Sequence, residues 1–426
     1  MTSTDSKTPA PGKIGHIVVI VQENRTPDNM FHGLPGADIA DTGVDSHGNT
    51  ITLHPVALAN DYDIDHSHGG FEKEYDGGRM DGADKLVALC RDHTTTCLPP
   101  NPQFAYVQAQ DVQPYFTLAQ RYTFGDRMFQ TNQGPSFPAH QYLIAGTSQP
   151  DAVTDLFASE NPFDPTAPSQ DANDAGCAAP QTDTVNMIDA NGSETTRRYA
   201  CFEHQTIMDL LDARMISWRY YTPSDYNIWN GPAAIRHLRN GPDWSNVIVP
   251  QTQVLSDLAS GNLAQVTFVI PSGQASDHAS VNDGSGPSWV SSIVNAIGNS
   301  GFWRDTAIII TWDDWGGWYD HVPSPRIYNQ YEYGLRVPLI VVSPYAKRGY
   351  VSHVTHDFGS IVKFVEATFD LPSLGFADAR ADDLSDCFDF SQALQTFESI
   401  PAPLEAKDFL MQEHAPMAPP SDPDDQ

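Results

Sequence analysis

Two pairs of oxygen-bearing side chains stand directly after apolar, strand-like runs: Glu23 and Asn24 after HIVVIV at 16–21 with Gln22 between, and Asp313 and Asp314 after AIIIT at 307–311 with Trp312 between. Neighbouring side chains on a regular strand point to opposite faces, so adjacent carboxylates reach one ion only where the strand stops and the backbone turns. Gly316 and Gly317 supply that freedom. Ser136 is a third candidate, in GPSFPAH at 134–140, with Pro135 and Pro138 on either side. Fixed proline φ values would hold its hydroxyl at a set angle, which suits a nucleophile. Glu23, Asn24, Ser136, Asp313 and Asp314 form an all-oxygen set. Such a set suits one hard divalent cation, Ca²⁺, Mg²⁺ or Mn²⁺, with Zn²⁺ and Fe left open. A cation against Ser136 would stabilise its alkoxide and polarise a phosphoryl oxygen, which points to phosphoryl transfer. Taken alone, each of these segments reads equally as an acidic or small-residue turn at a strand end.

Histidines could supply donors to a phosphate and a proton to a leaving group. His278 follows Asp277, which could orient its ring, and both lie past the strand AQVTFVI at 264–270. His66 lies in a loop dense in His, Asp and Gly at 61–84, His140 follows the serine motif, and His204 precedes a helical stripe. No GxGxxG or GxxxxGK[ST] phosphate loop and no GxSxG elbow occurs, so nucleotide folds and Ser/His/Asp esterases lack support.

These groups need a frame that brings strand ends together. The chain alternates strand-like runs (16–21, 216–221, 264–270, 307–311, 337–342) with helical ones (205–213, 289–299, 359–369). That alternation predicts an α/β fold, a three-layer α/β/α sandwich around a central, largely parallel sheet. Ligands in such sheets bind beyond the carboxyl ends of the strands, where all four motifs fall. Residues 1–14 and 409–426 read as disordered tails around a single catalytic domain at 15–408, with a polar insertion near 150–201.

The net charge of −31 argues against nucleic acid as a partner. Five cysteines lack zinc-site spacing. Cys90 with Cys97 would close a short loop and Cys177 with Cys201 would tie off the insertion, leaving Cys387 over. Disulfides would imply a secreted or periplasmic protein with its leader removed. The absence of a visible signal peptide leaves the cytoplasm open. No apolar run approaches membrane-spanning length, and the oligomeric state is not legible.

HIVVIVQENRTPDNMFHG at 16–33, GGRMDG at 77–82, GPSFPAHQYLIAGT at 134–147, TWDDWGGWYDHV at 311–322 and VPLIVVSPYAKRGYVSHVTHDFGSIVKFVE at 337–366 carry a family resemblance. They resemble the bacterial phosphoesterases that include phosphocholine-type phospholipases C and respiratory-burst-inhibiting acid phosphatases. The resemblance implies an alkaline-phosphatase-like fold and a metal-dependent attack on phosphorus. It implies Glu23, Asn24, Ser136, Asp313 and Asp314 as metal ligands and Ser136 as a transiently phosphorylated nucleophile. His66, His204 and His278 would contact phosphate and transfer protons, and Asn24 would also touch a phosphate oxygen.

Phospholipase members usually carry Thr in the nucleophile motif, Asn-Arg after its second proline, and extra C-terminal β-domains. This chain has Ser136, then Ala139-His140, and ends soon after the catalytic body. These departures favour an acid-phosphatase-like phosphomonoesterase acting on a small phosphate ester, with His140 as an added donor to substrate. The alternative is a phospholipase C for phosphatidylcholine-type head groups, with Trp218, Tyr220, Tyr221, Trp229 and Trp244 as a choline cage. A non-catalytic phosphoester-binding protein is the remote one.

Overall fold

The computed structural model describes residues 12–166, 175–325 and 329–412. Eight strands form the central sheet: β1 His16–Gln22, β2 Thr123–Gly125, β3 Trp218–Tyr221, β4 Val247–Ile248, β5 Val266–Val269, β6 Thr306–Trp312, β7 Leu339–Val342 and β8 Tyr350–Ser352. Their spatial order is β4-β3-β5-β1-β6-β7-β2-β8. All pairs are parallel except those of β7, which runs antiparallel to β6 and β2. The sheet is therefore largely parallel, with one strand reversed.

β1 and β6 are the centre. Every residue of β6 is buried, and β1 is buried from Ile17 onwards, so both faces of these strands are covered. That explains their continuous Ile/Val runs in place of an alternating pattern. Helices α1 Gln113–Arg121 and α4 Gly286–Gly298 pack together, and α2 Ser136–Ala145 packs with α5 Phe358–Phe369 and α3 Ile207–Ala213. The β1/β6 register pairs His16 with Thr306 through to Gln22 with Trp312. Both strands thus end at the same level, and the next residues, Glu23 and Asp313, emerge side by side.

The insertion is more regular than its polar sequence suggests, with strands Leu156–Ala158, Thr184–Asp189 and Glu194–Tyr199 in an antiparallel sheet. Both expected disulfides, Cys90–Cys97 and Cys177–Cys201, are formed, and Cys387 is a buried free thiol. The tails expected at 1–14 and 409–426 fall mostly outside the described residues. At their inner edges order extends further than expected. Lys13 donates to the Phe390 carbonyl, Ile14 is buried, and Phe409 packs edge-on against Trp289 with ring centroids 5.3 Å apart. Among the described residues no helix is long and apolar enough to cross a membrane.

The expected aromatic cage is not present. Trp218, Tyr220, Tyr221 and Trp229 are buried, with the Tyr220 hydroxyl bonded to the Trp229 carbonyl and that of Tyr221 to Asp257. Trp244 lies under the Arg239 guanidinium. Three of these residues belong to β3, an interior strand whose alternate faces both meet protein. Aromatic richness there is core packing.

Candidate active site

The turn after β6 is built by glycine. Gly316 and Gly317 have φ of 65° and 69°. A Cβ on Gly316 would lie 2.4 Å from the Asn24 carbonyl oxygen, and one on Gly317 2.5 Å from Ile64 Cγ2. Only glycine allows the loop to lie this close to the β1 end. The Asp313 amide bonds to the Gln22 carbonyl, the Arg25 amide to the Asp314 carbonyl, and Asn24 N–H donates to Asp313 Oδ1 at 3.0 Å. Asn24 itself takes a left-handed φ of 61°, a conformation Asn tolerates better than most residues.

Ser136 is the first residue of α2, with Pro135 as its cap. Its hydroxyl lies 3.2 Å from Asp314 Oδ2 and 3.4 Å from Glu23 Oε2. The helix start adds a partial positive charge beside Oγ, which favours an alkoxide or a bound phosphate. Phe137 N–H is taken by Asn161 Oδ1 at 3.0 Å, so the insertion braces the first turn. Sequence gave no signal for Asn161, which acts through a contact between distant segments.

Glu23, Asp313 and Asp314 are wholly buried and, among the described residues, form no ion pair with a lysine or arginine. Burial, then the neighbouring charge of Asp313, pushes the Glu23 and Asp314 carboxyls well above the usual carboxylate range. Arg25, the nearest arginine in sequence, points elsewhere and bonds to the Asp277 and Leu58 carbonyls and to Asn29. Two oxygens in the cluster, Asn24 Oδ1 and Asp313 Oδ2, are buried without a hydrogen-bond partner among the described residues. Clustered carboxylates and orphaned oxygens without a balancing cation fit a divalent ion.

The expected histidines divide. His66 Nδ1 is 2.7 Å from the Ile64 carbonyl, so it carries the proton and Nε2 accepts from Asn24 Nδ2 at 2.9 Å. This bond fixes the Asn24 amide with Oδ1 turned away. The His278 ring lies 5.7 Å from that of His66, with Nδ1 2.7 Å from the Ala279 carbonyl. Burial, then His66, holds it down to about 3. His140 Nε2 is 3.3 Å from Glu23 Oε1 and 3.8 Å from Asp313 Oδ2, inside the carboxylate cluster. His204 makes different contacts. Its Nδ1 bonds to the Gln205 carbonyl, its buried Nε2 has no partner, and burial lowers its pKa.

Asp277 does not orient His278 as expected. Its Oδ2 accepts from the Tyr115 hydroxyl at 2.9 Å and Trp312 Nε1 at 3.0 Å, tying the loop after β5 to α1 and β6. The carboxylate near the His278 ring is Asp63, 3.8 Å from Nδ1. Adjacent residues diverge here as they do on a strand. The sequence marker was the Asp-rich loop at 61–84, in which Asp63 was not distinguishable from its neighbours.

A buried carboxylate cluster and a serine at a helix start, joined at the carboxyl edge of a largely parallel sheet, define the class: an α/β protein with a buried polar cluster at its central strand ends. The Phosphoesterase family model matches residues 14–372, and the chain belongs to that family. It is 24% identical to the non-hemolytic phospholipase C of Pseudomonas aeruginosa over 89% of this chain and 57% of that protein. It is 24% identical to phospholipase C A of Mycobacterium tuberculosis over 90% of this chain and 79% of that one. The chain thus spans little more than half the length of the Pseudomonas relative. Similar solved structures include an alkaline phosphatase superfamily protein from Vibrio parahaemolyticus, with TM-score 0.36, 9% identity, and 87% and 70% of the two chains covered. The lipoteichoic acid synthase LtaP of Listeria monocytogenes aligns with TM-score 0.39 and 9% identity over 88% and 77%. These structural likenesses are distant.

Proposed function

We propose that this chain is a metal-dependent phosphoric ester hydrolase working through a phosphoserine at Ser136, with a small phosphate monoester as its substrate. The observation that carries the reading is the Ser136 hydroxyl, 3.2 Å from Asp314 Oδ2 and 3.4 Å from Glu23 Oε2, at a helix start. Glu23, Asn24, Ser136, Asp313 and Asp314 would hold one divalent ion, which when bound favours the serine alkoxide and neutralises phosphoryl oxygens. Ser136 O–H donates towards the carboxylates, so its proton leaves in that direction as Oγ bonds to phosphorus and the bond to the leaving oxygen breaks. His278 commits Nδ1–H to Ala279, so its Nε2 is an acceptor, the position that would relay the proton released by Ser136 to the leaving oxygen. Water then cleaves the phosphoserine and releases phosphate. His66 serves this site by orienting Asn24. Secretion is consistent with the two disulfides.

A quench experiment with labelled phosphate ester tests the serine. Wild type should trap label on the protein in acid, and Ser136→Ala should fold, trap none and lose turnover. Labelling and turnover that survive the substitution would remove Ser136 from this role. The second reading, a phospholipase C, is favoured by the names of the relatives. Turnover of an aryl phosphate compared with phosphatidylcholine separates the two, and faster release of phosphocholine would assign the lipid.

A further inference from the structure

We infer that His140 is a ligand of the active-site ion, and that the site therefore prefers a cation that accepts nitrogen, such as Mn²⁺, Fe²⁺ or Zn²⁺, over Ca²⁺ or Mg²⁺. The inference rests on the functional reading above and adds a nitrogen donor to an otherwise all-oxygen set. Nε2 of His140 lies 3.3 Å from Glu23 Oε1 and 3.8 Å from Asp313 Oδ2, and all three side chains are fully buried. The three ligand atoms lie within 4.8 Å of one another. Ligands about 2.1 Å from a common ion stand about 3.0 to 3.4 Å apart at octahedral or tetrahedral angles, and at most about 4.2 Å apart. Both nitrogen–oxygen spacings, 3.3 and 3.8 Å, fall below that limit.

A hydrogen-bond reading accounts for less. A neutral Nε2–H would reach Glu23 over a long 3.3 Å contact and leave Asp313 Oδ2 without a partner. In either tautomer Nδ1 has no hydrogen-bond partner, so the decision falls on Nε2. A lone pair there joins Asp313 Oδ2 and Asn24 Oδ1, also unpartnered and buried, in facing one cation. Covalent geometry adds a cause. Ser136 and His140 are four residues apart on α2, so both project from one face of the helix towards the strand ends. Imidazole suits first-row transition ions, whereas carboxylate-only sites suit Ca²⁺ and Mg²⁺.

The first test starts from the wild-type protein. Wild-type protein loaded with Mn²⁺ should show electron-spin-echo modulation from a directly bonded ¹⁴N, and His140→Gln, which replaces the imidazole by an amide, should lose it. Titration of the metal-free protein should show Co²⁺ binding weakened at least ~10-fold in His140→Gln with Ca²⁺ binding nearly unchanged. The visible spectrum of bound Co²⁺ should also change. Absent nitrogen coupling in wild type, or coupling and Co²⁺ affinity that persist in the variant, overturns the role of His140. Phosphoserine trapping at Ser136 would in that case still stand, so the two readings fail separately. Wild type that binds no divalent ion overturns both the ligand and the metal dependence.

Discussion

Asp313 is asked to do two things at once. Its Oδ1 accepts the Asn24 amide, and its Oδ2 is one of the orphaned oxygens of the cluster. Asp313→Asn keeps the shape and the first contact but removes the charge. We expect metal affinity to fall ~10- to 100-fold and turnover to fall with it, measured by metal content after dialysis and by initial rates. Full metal occupancy in the variant would return Asp313 to an ordinary strand-end acid. His66 illustrates a role that residue type alone does not reveal. A histidine in an Asp/Gly loop reads as a phosphate donor, and its bond to Asn24 Nδ2 would in addition orient a proposed metal ligand.

The element that sets the geometry is the turn from β6 to His321. Its near end depends on Gly316, whose added Cβ would meet the Asn24 carbonyl oxygen at 2.4 Å at a left-handed φ of 65°. A left-handed conformation costs an L-residue roughly 1–2 kcal/mol before any clash is counted. Gly316→Ala should lower the melting temperature and, by displacing Asn24, reduce metal binding. Unchanged metal binding would show that the close approach does not position the ligands.

The far end of the turn is held by charge. His321 lies 2.7 Å from Asp28 and 3.1 Å from Asp38, and Arg336 bridges Asp28 and Asp320. Arg336 therefore supplies the positive charge that the Asp28, Asp320 and His321 group would otherwise draw from an ion. Burial opposes the charge on His321, but the hydrogen bond and charge of Asp28 outweigh it and raise the ring to about 9 from 6.5. A raised folded-state pKa stabilises fully below about 6.5 and is lost as pH climbs through about 9. His321→Asn should thus lower the melting temperature most near pH 6, and the gap from wild type should close towards pH 10. A gap independent of pH would show that the charge on His321 contributes nothing.

At the scale of the whole molecule, the insertion is fastened where it supports the site. Cys177 is bonded to Cys201, the Cys177 amide donates to the Ala233 carbonyl, and Phe202 packs against Phe137, the residue after Ser136. The sequence separation of 24 residues implies a loop-closure contribution of about 3 kcal/mol. Replacing both cysteines by serine should lower the melting temperature by several degrees while turnover at low temperature changes little. A large loss of turnover without loss of stability would mean that the disulfide positions the nucleophile directly.

The sequence by itself determined the sheet class, the strands on which Glu23 and Asp313 arrive and the need for Gly316 and Gly317, and it suggested both disulfide pairings, which the structure then fixed. Each is local: a β-branched run, a glycine pair, a cysteine spacing. Only tertiary structure decided the reversal of β7, the burial of Trp218, Tyr220 and Tyr221, and which carboxylate faces which histidine. Those outcomes depend on which surface covers each face of a strand and on side-chain direction past its end. Asp277 and His278 are neighbours in the chain but turn to different partners, and His140 meets Glu23 across 117 residues. Residue type and spacing name the chemistry available, while the convergence of separate strand ends selects which atoms perform it.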